Sequence, residues 1–97
     1  MTPEAKVKAN VRKVLEVSGA YFFMPPANGF GRAGIPDIVA CKKGKFLAIE
    51  CKAGRGKTTA LQEREIERIK AAGGKALVIN EHNMADLHAS LEEIEND

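Results

Sequence analysis

The chain has 97 residues, 44% of them hydrophobic and 29% charged, which suits a single small folded domain and excludes an intrinsically disordered segment. Fifteen basic side chains against 13 acidic ones leave a net charge of +2, too balanced for bulk charge to argue for a nucleic-acid partner. No apolar run approaches the roughly 20 residues of a membrane span and no signal peptide opens the chain, so a cytoplasmic protein without a membrane partner is expected.

Charge is unevenly placed. Lys and Arg concentrate in residues 42–75, while Glu92-Glu93-Ile94-Glu95-Asn96-Asp97 is acidic. A basic middle can face a polyanion, though a charge run is more often a solvated surface.

Thr2-Pro3-Glu4 reads as a helix start: a capping hydroxyl, Pro in the first turn, then an acid near the positive end of the dipole. Val7, Val11, Val14 and Leu15 follow at helical spacing and Gly19 ends the element. Tyr21 to Met24 reads as a short aromatic strand, stopped by Pro25-Pro26, with a glycine-rich loop over residues 28–34. Pro36 leads into the apolar run Ile38 to Cys41, Lys43-Gly44 marks a turn, and Phe46 to Cys51 forms a second run. Both runs are apolar at nearly every position, which predicts strands covered on both faces and places Cys41 and Cys51 in the core. Two thiols make no metal cluster and suit a reducing compartment.

After a loop over 53–57, a helix is expected from about Thr59 to Ala72, with Leu61, Ile66 and Ile69 inward and Gly73-Gly74 closing it. Lys75 to Asn80 reads as a fourth strand. Asn83 is expected to cap a last helix with Met84, Leu87, Leu91 and Ile94 on one side. The order is αβββαβα, an α/β class with a central mixed sheet and helices on both sides, in one domain over residues 1–97, without internal repeat or linker.

Asp37 and Glu50 carry the chemistry. If Lys43-Gly44 is the centre of a two-residue hairpin, residues 42 and 45 face each other, and the same register continues to Asp37 opposite Glu50. Opposed Cβ atoms lie about 4.5–5.5 Å apart, close enough for two carboxylates to share one cation. Alternation along the strand puts Lys52 on the face of Glu50 and turns Cys51 away. Oxygen ligands of this type suit Mg²⁺ or Mn²⁺, with room for waters and a substrate phosphate. Taken singly, each residue reads as a surface charge at a strand end; the three together, beside a glycine-rich loop, read as a site.

These residues resemble a known signature. Ile35-Pro36-Asp37 followed by Glu50-Cys51-Lys52 looks like that of the PD-(D/E)XK nucleases. The wider pattern is similar to the virus-type replication-repair nuclease (VRR-NUC) branch: Gly34-Ile35-Pro36-Asp37-Ile38, Ile49-Glu50-Cys51-Lys52, Gln62, and Ala72-Gly73-Gly74 before a strand. The resemblance spans nearly the whole chain and implies a restriction-endonuclease-like core. It implies that Asp37 and Glu50 ligate a divalent metal, with the backbone carbonyl of Cys51 as a further ligand, and that Lys52 positions or activates the attacking water. Glu4, on the Val7/Val11 side of its helix, would match the family's first-helix acid; it reads equally well as a favourable charge at a helix N-terminus. Gln62 would match a catalytic-site glutamine, and Thr59 to Gln62 also spells a capping box.

The implied activity is phosphodiester hydrolysis in branched DNA such as Holliday junctions, by a homodimer of phage or bacterial type. Arg32, Arg55 and Lys57 flank the site as candidate phosphate contacts, each of which could equally be a solvated charge. Two other readings compete. Gly29-Phe30-Gly31-Arg32-Ala33-Gly34 spells a dinucleotide fingerprint, but Pro36 and a strand follow where a helix is needed. Gly56-Lys57-Thr58 lies between a strand and a helix as in a P-loop, yet Cys51 stands where the first glycine belongs. A nucleotide-binding module, and a catalytically silent DNA-binding module on the same fold, are the alternatives. His82 and His88 lack metal-ligand spacing and read as surface residues.

Overall fold

In the computed structural model of the chain, residues 1–26 and 32–97 are described. Of the glycine-rich loop expected over 28–34, positions 28–31 lie outside them, as does the first half of the dinucleotide-like motif.

Helix α1 runs Pro3–Ser18. The Thr2 hydroxyl accepts from the Ala5 N–H at 3.1 Å, and Gly19 closes the helix at φ 80°, a left-handed conformation that costs glycine little. Strands β1 (Tyr21–Phe23), β2 (Ile38–Lys42) and β3 (Lys45–Cys51) follow, then helix α2 (Ala60–Ala71), strand β4 (Lys75–Ile79) and helix α3 (Met84–Glu95). The αβββαβα order expected from the sequence is the observed one. Four strands form one mixed sheet in the order β1-β2-β3-β4, with the first two pairings antiparallel and β3·β4 parallel.

The hairpin between β2 and β3 has the expected register. Lys42 faces Lys45, and the ladder ends with Ile38 opposite Ile49. Lys43 (φ 50°) and Gly44 (φ 77°) are both left-handed, the requirement of the type I′ turn whose twist matches that of paired strands.

One face of the sheet presents Ile38, Ala40, Leu47, Ile49 and Cys51. It is buried against Val7, Val11 and Leu15 of α1 and Leu87, Leu91 and Ile94 of α3. Alternation puts Val39, Cys41, Phe46, Ala48 and Glu50 on the opposite face. There α2 lies: Gly74 sits so close to Ile69 and Phe46 that a Cβ on it would be 3.0 and 3.1 Å from their side chains.

Because α2 is a single helix over a four-stranded face, its cover is incomplete, and this corrects the expectation of strands buried on both sides. From Leu47 to Cys51, β3 is buried throughout, but Tyr21, Phe23 and Phe46 are exposed. Cys41, paired in register with Tyr21 and Phe46, is exposed with them and is not a core residue; Cys51 is. Leu61 also points outward, 44% exposed, since Gln62, Glu65 and Ile66 take the sheet-facing positions of α2's first two turns. Asn83 stands at the start of α3 without capping it. Its amide oxygen accepts from the Asn80 N–H at 2.7 Å and its nitrogen donates to the Val78 carbonyl at 2.9 Å, so it braces the turn after β4 instead.

The acidic tail and part of the basic middle answer each other. Glu93 bonds Lys75 at 2.6 Å, and Glu95 lies 3.3 Å from Lys42 and 3.5 Å from Lys43. These cations therefore serve the fold. No helix among the described residues is long and apolar enough to cross a membrane.

Candidate active site

The site is assembled where the β2–β3 hairpin opens away from its turn. Regular pairing stops at Ile38·Ile49, and Asp37 occupies the bend just before β2. From there its Oδ2 accepts a hydrogen bond from the Cys51 N–H at 2.8 Å. Asp37 thus does what a strand neighbour's carbonyl would have done, satisfying the last donor of β3 with a charge. On the other edge of β3 the Lys52 N–H donates to the Ile79 carbonyl at 3.0 Å, which holds the strand end from the β4 side.

Glu50 is 5% exposed, and its carboxyl is a hydrogen-bonding neighbour of that of Asp37. Burial is the largest cause pushing its pKa up, from 4.5 to about 8; the hydrogen bond and the charge of Asp37 push the same way, and Lys52 opposes them. Two acids and one nearby ammonium are therefore gathered as the register and strand parity required. The Cys51 side chain faces the core, and burial, then the charges of Asp37 and Glu50, drive its thiol up to about 12, which leaves it inert.

Gln62 joins α2 to this centre, and both readings of it hold at once. Its amide oxygen accepts from the Thr59 N–H at 2.9 Å while its own N–H donates to Thr59 Oγ1 at 3.2 Å, the two halves of a capping box. Its Nε2 donates to Glu50 Oε1 at 3.1 Å. A backbone N–H can only donate, so the cap fixes which end of the amide turns to Glu50.

The loop that delivers Asp37 is pressed onto the same helix. Gly34 (φ 82°) lies so close to α2 that a Cβ on it would stand 2.5 Å from the Leu61 carbonyl atoms and 2.8 Å from the Gln62 nitrogen. Two residues earlier, Arg32 donates to Glu65 Oε1 at 2.9 Å. Glu65 is 3% exposed, and among the described residues its Oε2 has no hydrogen-bond partner, with Arg64 and Arg68 no nearer than 3.9 and 4.0 Å. Arg32 is thus engaged by a buried carboxylate.

Glu4 is not brought into contact with Asp37 and Glu50. Its carboxylate lies 3.7 Å from Lys8, one turn along α1, and Lys8 in turn lies 3.6 Å from Asp37 Oδ1. Arg55 and Lys57 are exposed in the loop after β3, whose Gly54 N–H is held by Glu81 at 2.9 Å. His82 and His88 are exposed, as expected. Lys8, Glu65 and the Cys51 N–H are participants that the motif does not contain. Only Lys8 left a signal, the four-residue spacing from Glu4 that puts both on one side of a helix.

The donor set fits a hard divalent cation. It consists of carboxylate oxygens, one of them in an acid that burial, then the neighbouring Asp37, holds towards its neutral form. Among the described residues no three His, Cys, Asp or Glu side chains converge in a way that could hold a metal ion.

The family model described as archaeal Holliday junction resolvase (Hjc) matches residues 5–95. "Putative nuclease p44" of Acyrthosiphon pisum secondary endosymbiont phage 1 is 35% identical over 85 residues, covering 87% of this chain and 85% of that protein. A solved structure described as a VRR_NUC domain superposes with a TM-score of 0.74 at 22% identity, over 93% of this chain and 97% of the other. The restriction-endonuclease-like core implied by the VRR-NUC resemblance is thereby borne out, and the chain belongs to the archaeal Holliday junction resolvase (Hjc) family.

Proposed function

We propose that this protein is a divalent-metal-dependent DNA endonuclease that hydrolyses phosphodiester bonds in branched DNA such as Holliday junctions. The observation that carries this reading is the convergence of the Asp37 and Glu50 carboxyls at one end of the β2–β3 hairpin, with Lys52 on the same face. Family membership and the nuclease named among its relatives support it and turn away from a nucleotide-binding module.

In this reading Asp37, Glu50 and the Cys51 carbonyl hold Mg²⁺ or Mn²⁺. When bound, such an ion would polarise a phosphoryl oxygen and lower the pKa of a water. The Cys51 N–H fixes the orientation of the Asp37 carboxylate through Oδ2 and leaves Oδ1 without a backbone partner. Gln62 holds Glu50 in one orientation through the helix cap, so the carboxylate is set before substrate arrives. Lys52 orients the attacking water and offsets the charge that develops on the phosphate. Arg55 and Lys57 contact flanking phosphates; Arg32, with five donors on one guanidinium, can do so while still paired with Glu65.

A homodimer would set two such sites against two strands of a junction. The exposed apolar face of β1 to β3, with Tyr21, Phe23 and Phe46, is a surface suited to it. Incubating the protein with four-way junction, flap and linear duplex DNA tests the proposal: Mg²⁺- or Mn²⁺-dependent cleavage favouring the junction is expected. Equal cleavage in EDTA would overturn it.

A further inference from the structure

Asp37 is held at both oxygens. Oδ2 takes the Cys51 N–H at 2.8 Å, satisfying the last donor on that edge of β3. Oδ1 faces the Lys8 ammonium at 3.6 Å, and the same ammonium lies 3.7 Å from Glu4 Oε2. Oδ1, which no backbone N–H engages, is the freer of the two oxygens to ligate a metal, and it is the one that Lys8 attends. The Lys8 side chain is 32% exposed and that of Asp37 23%, so the pair is only partly screened by water. A long flexible stem lets the ammonium move outward along α1 towards Glu4 without disturbing the backbone.

We propose that Lys8 is a built-in counter-cation of the site: it neutralises Asp37 while no metal is bound and must be displaced before a divalent ion binds, so that it sets the metal affinity. This rests on the metal-dependent reading above. The reason is electrostatic. A like charge that stays within about 4–6 Å of the incoming ion, or is driven away from a carboxylate that it was neutralising, raises the cost of binding in either case. In return the metal-free protein is spared a cluster of uncompensated carboxylates. Glu4 then has a part that is not ligation: it receives the displaced ammonium one helical turn away.

Calorimetric titration with Mn²⁺, paired with thermal melts with and without Mn²⁺, tests this. Wild-type protein is compared with Lys8→Met, Lys8→Arg and Lys13→Met, the last removing the same charge from an exposed position on the same helix. Lys8→Met is expected to bind Mn²⁺ about three- to tenfold more tightly and to melt lower than wild type only in the absence of metal. Lys8→Arg and Lys13→Met should bind as wild type. Unchanged or weaker Mn²⁺ binding by Lys8→Met, or equal tightening in Lys13→Met, overturns the inference while leaving the metal site standing. Failure of the wild-type protein to bind Mn²⁺ at all overturns the metal-dependent reading itself, and the inference falls with it.

Discussion

The Gln62 amide donates to Glu50 Oε1 at 3.1 Å, and the rest of that same side chain closes the capping box of α2. One residue therefore couples the start of a helix to the most buried acid of the site. Replacing it separates the two contributions. Gln62→Ala removes half of the capping box, at a cost of about 1 kcal/mol in a urea melt. In the proposed nuclease it also frees Glu50, and losses of roughly 10–100-fold in activity or Mn²⁺ affinity are expected. A loss of stability with unimpaired cleavage would confine Gln62 to the cap.

Gly34 is the position where backbone, helix and site meet. Gly34→Ala places a methyl at a left-handed φ and within 2.5 Å of α2 backbone atoms that cannot retreat. Strain and overpacking together should cost at least about 2 kcal/mol, and cleavage should fall further because the loop ending in Asp37 is pushed off Gln62. Gly44→Asn supplies the comparison: its φ is also positive, but nothing lies within 4 Å and asparagine tolerates a type I′ turn. Equal melting of the two variants would refute the close approach.

Arg32→Ala distinguishes a fold contact from a substrate contact. Removing the guanidinium leaves the Glu65 carboxylate, 3% exposed, without its one short hydrogen bond among the described residues. Destabilisation of about 1–3 kcal/mol is expected, largely recovered in the Arg32→Ala/Glu65→Leu double variant. Unchanged stability with weakened, less salt-sensitive DNA binding would instead make Arg32 a pure phosphate contact.

The raised pKa of Glu50 fixes the direction of a pH effect. Folded Glu50 holds its proton up to about pH 8, whereas the unfolded chain releases it near 4.5. The folded state therefore binds more protons between these values, and its stability falls as pH rises from about 4.5 through 8. In EDTA, the urea midpoint should decline over this window in the wild type and be flatter in Glu50→Gln. Mn²⁺ should reverse the trend, with proton release on binding near neutral pH. A midpoint that rises with pH in EDTA would contradict the assignment.

Local chemistry made most of the fold legible in the sequence. The Lys43-Gly44 turn determined the β2–β3 register, and that register alone brought Asp37 to Glu50 and turned Cys51 inward. Thr2, Gly19 and Thr59 marked helix ends by the hydrogen bonds and φ angles that they in fact provide. What stayed hidden depends on contacts between elements distant in the chain. Cys41 and Leu61 are hydrophobic in the right places, yet whether a face is covered depends on where α2 lies. Glu65, buried on the sheet-facing side of α2, meets Arg32 from a loop 33 residues earlier, and no periodicity encodes that meeting. Asn83 has a capping residue's identity but spends both ends of its amide on the turn before α3.

The central claim is that Asp37 and Glu50 form a metal-dependent hydrolytic centre, and cleavage of a labelled four-way junction with Mn²⁺ titrated from zero tests it most directly. Wild-type protein is compared with Asp37→Asn, Glu50→Gln and Lys52→Ala. Cleavage that requires Mn²⁺, and that is abolished in all three variants while their circular dichroism stays folded, is the predicted result. Cleavage at the wild-type rate by Asp37→Asn, or without metal, would contradict it.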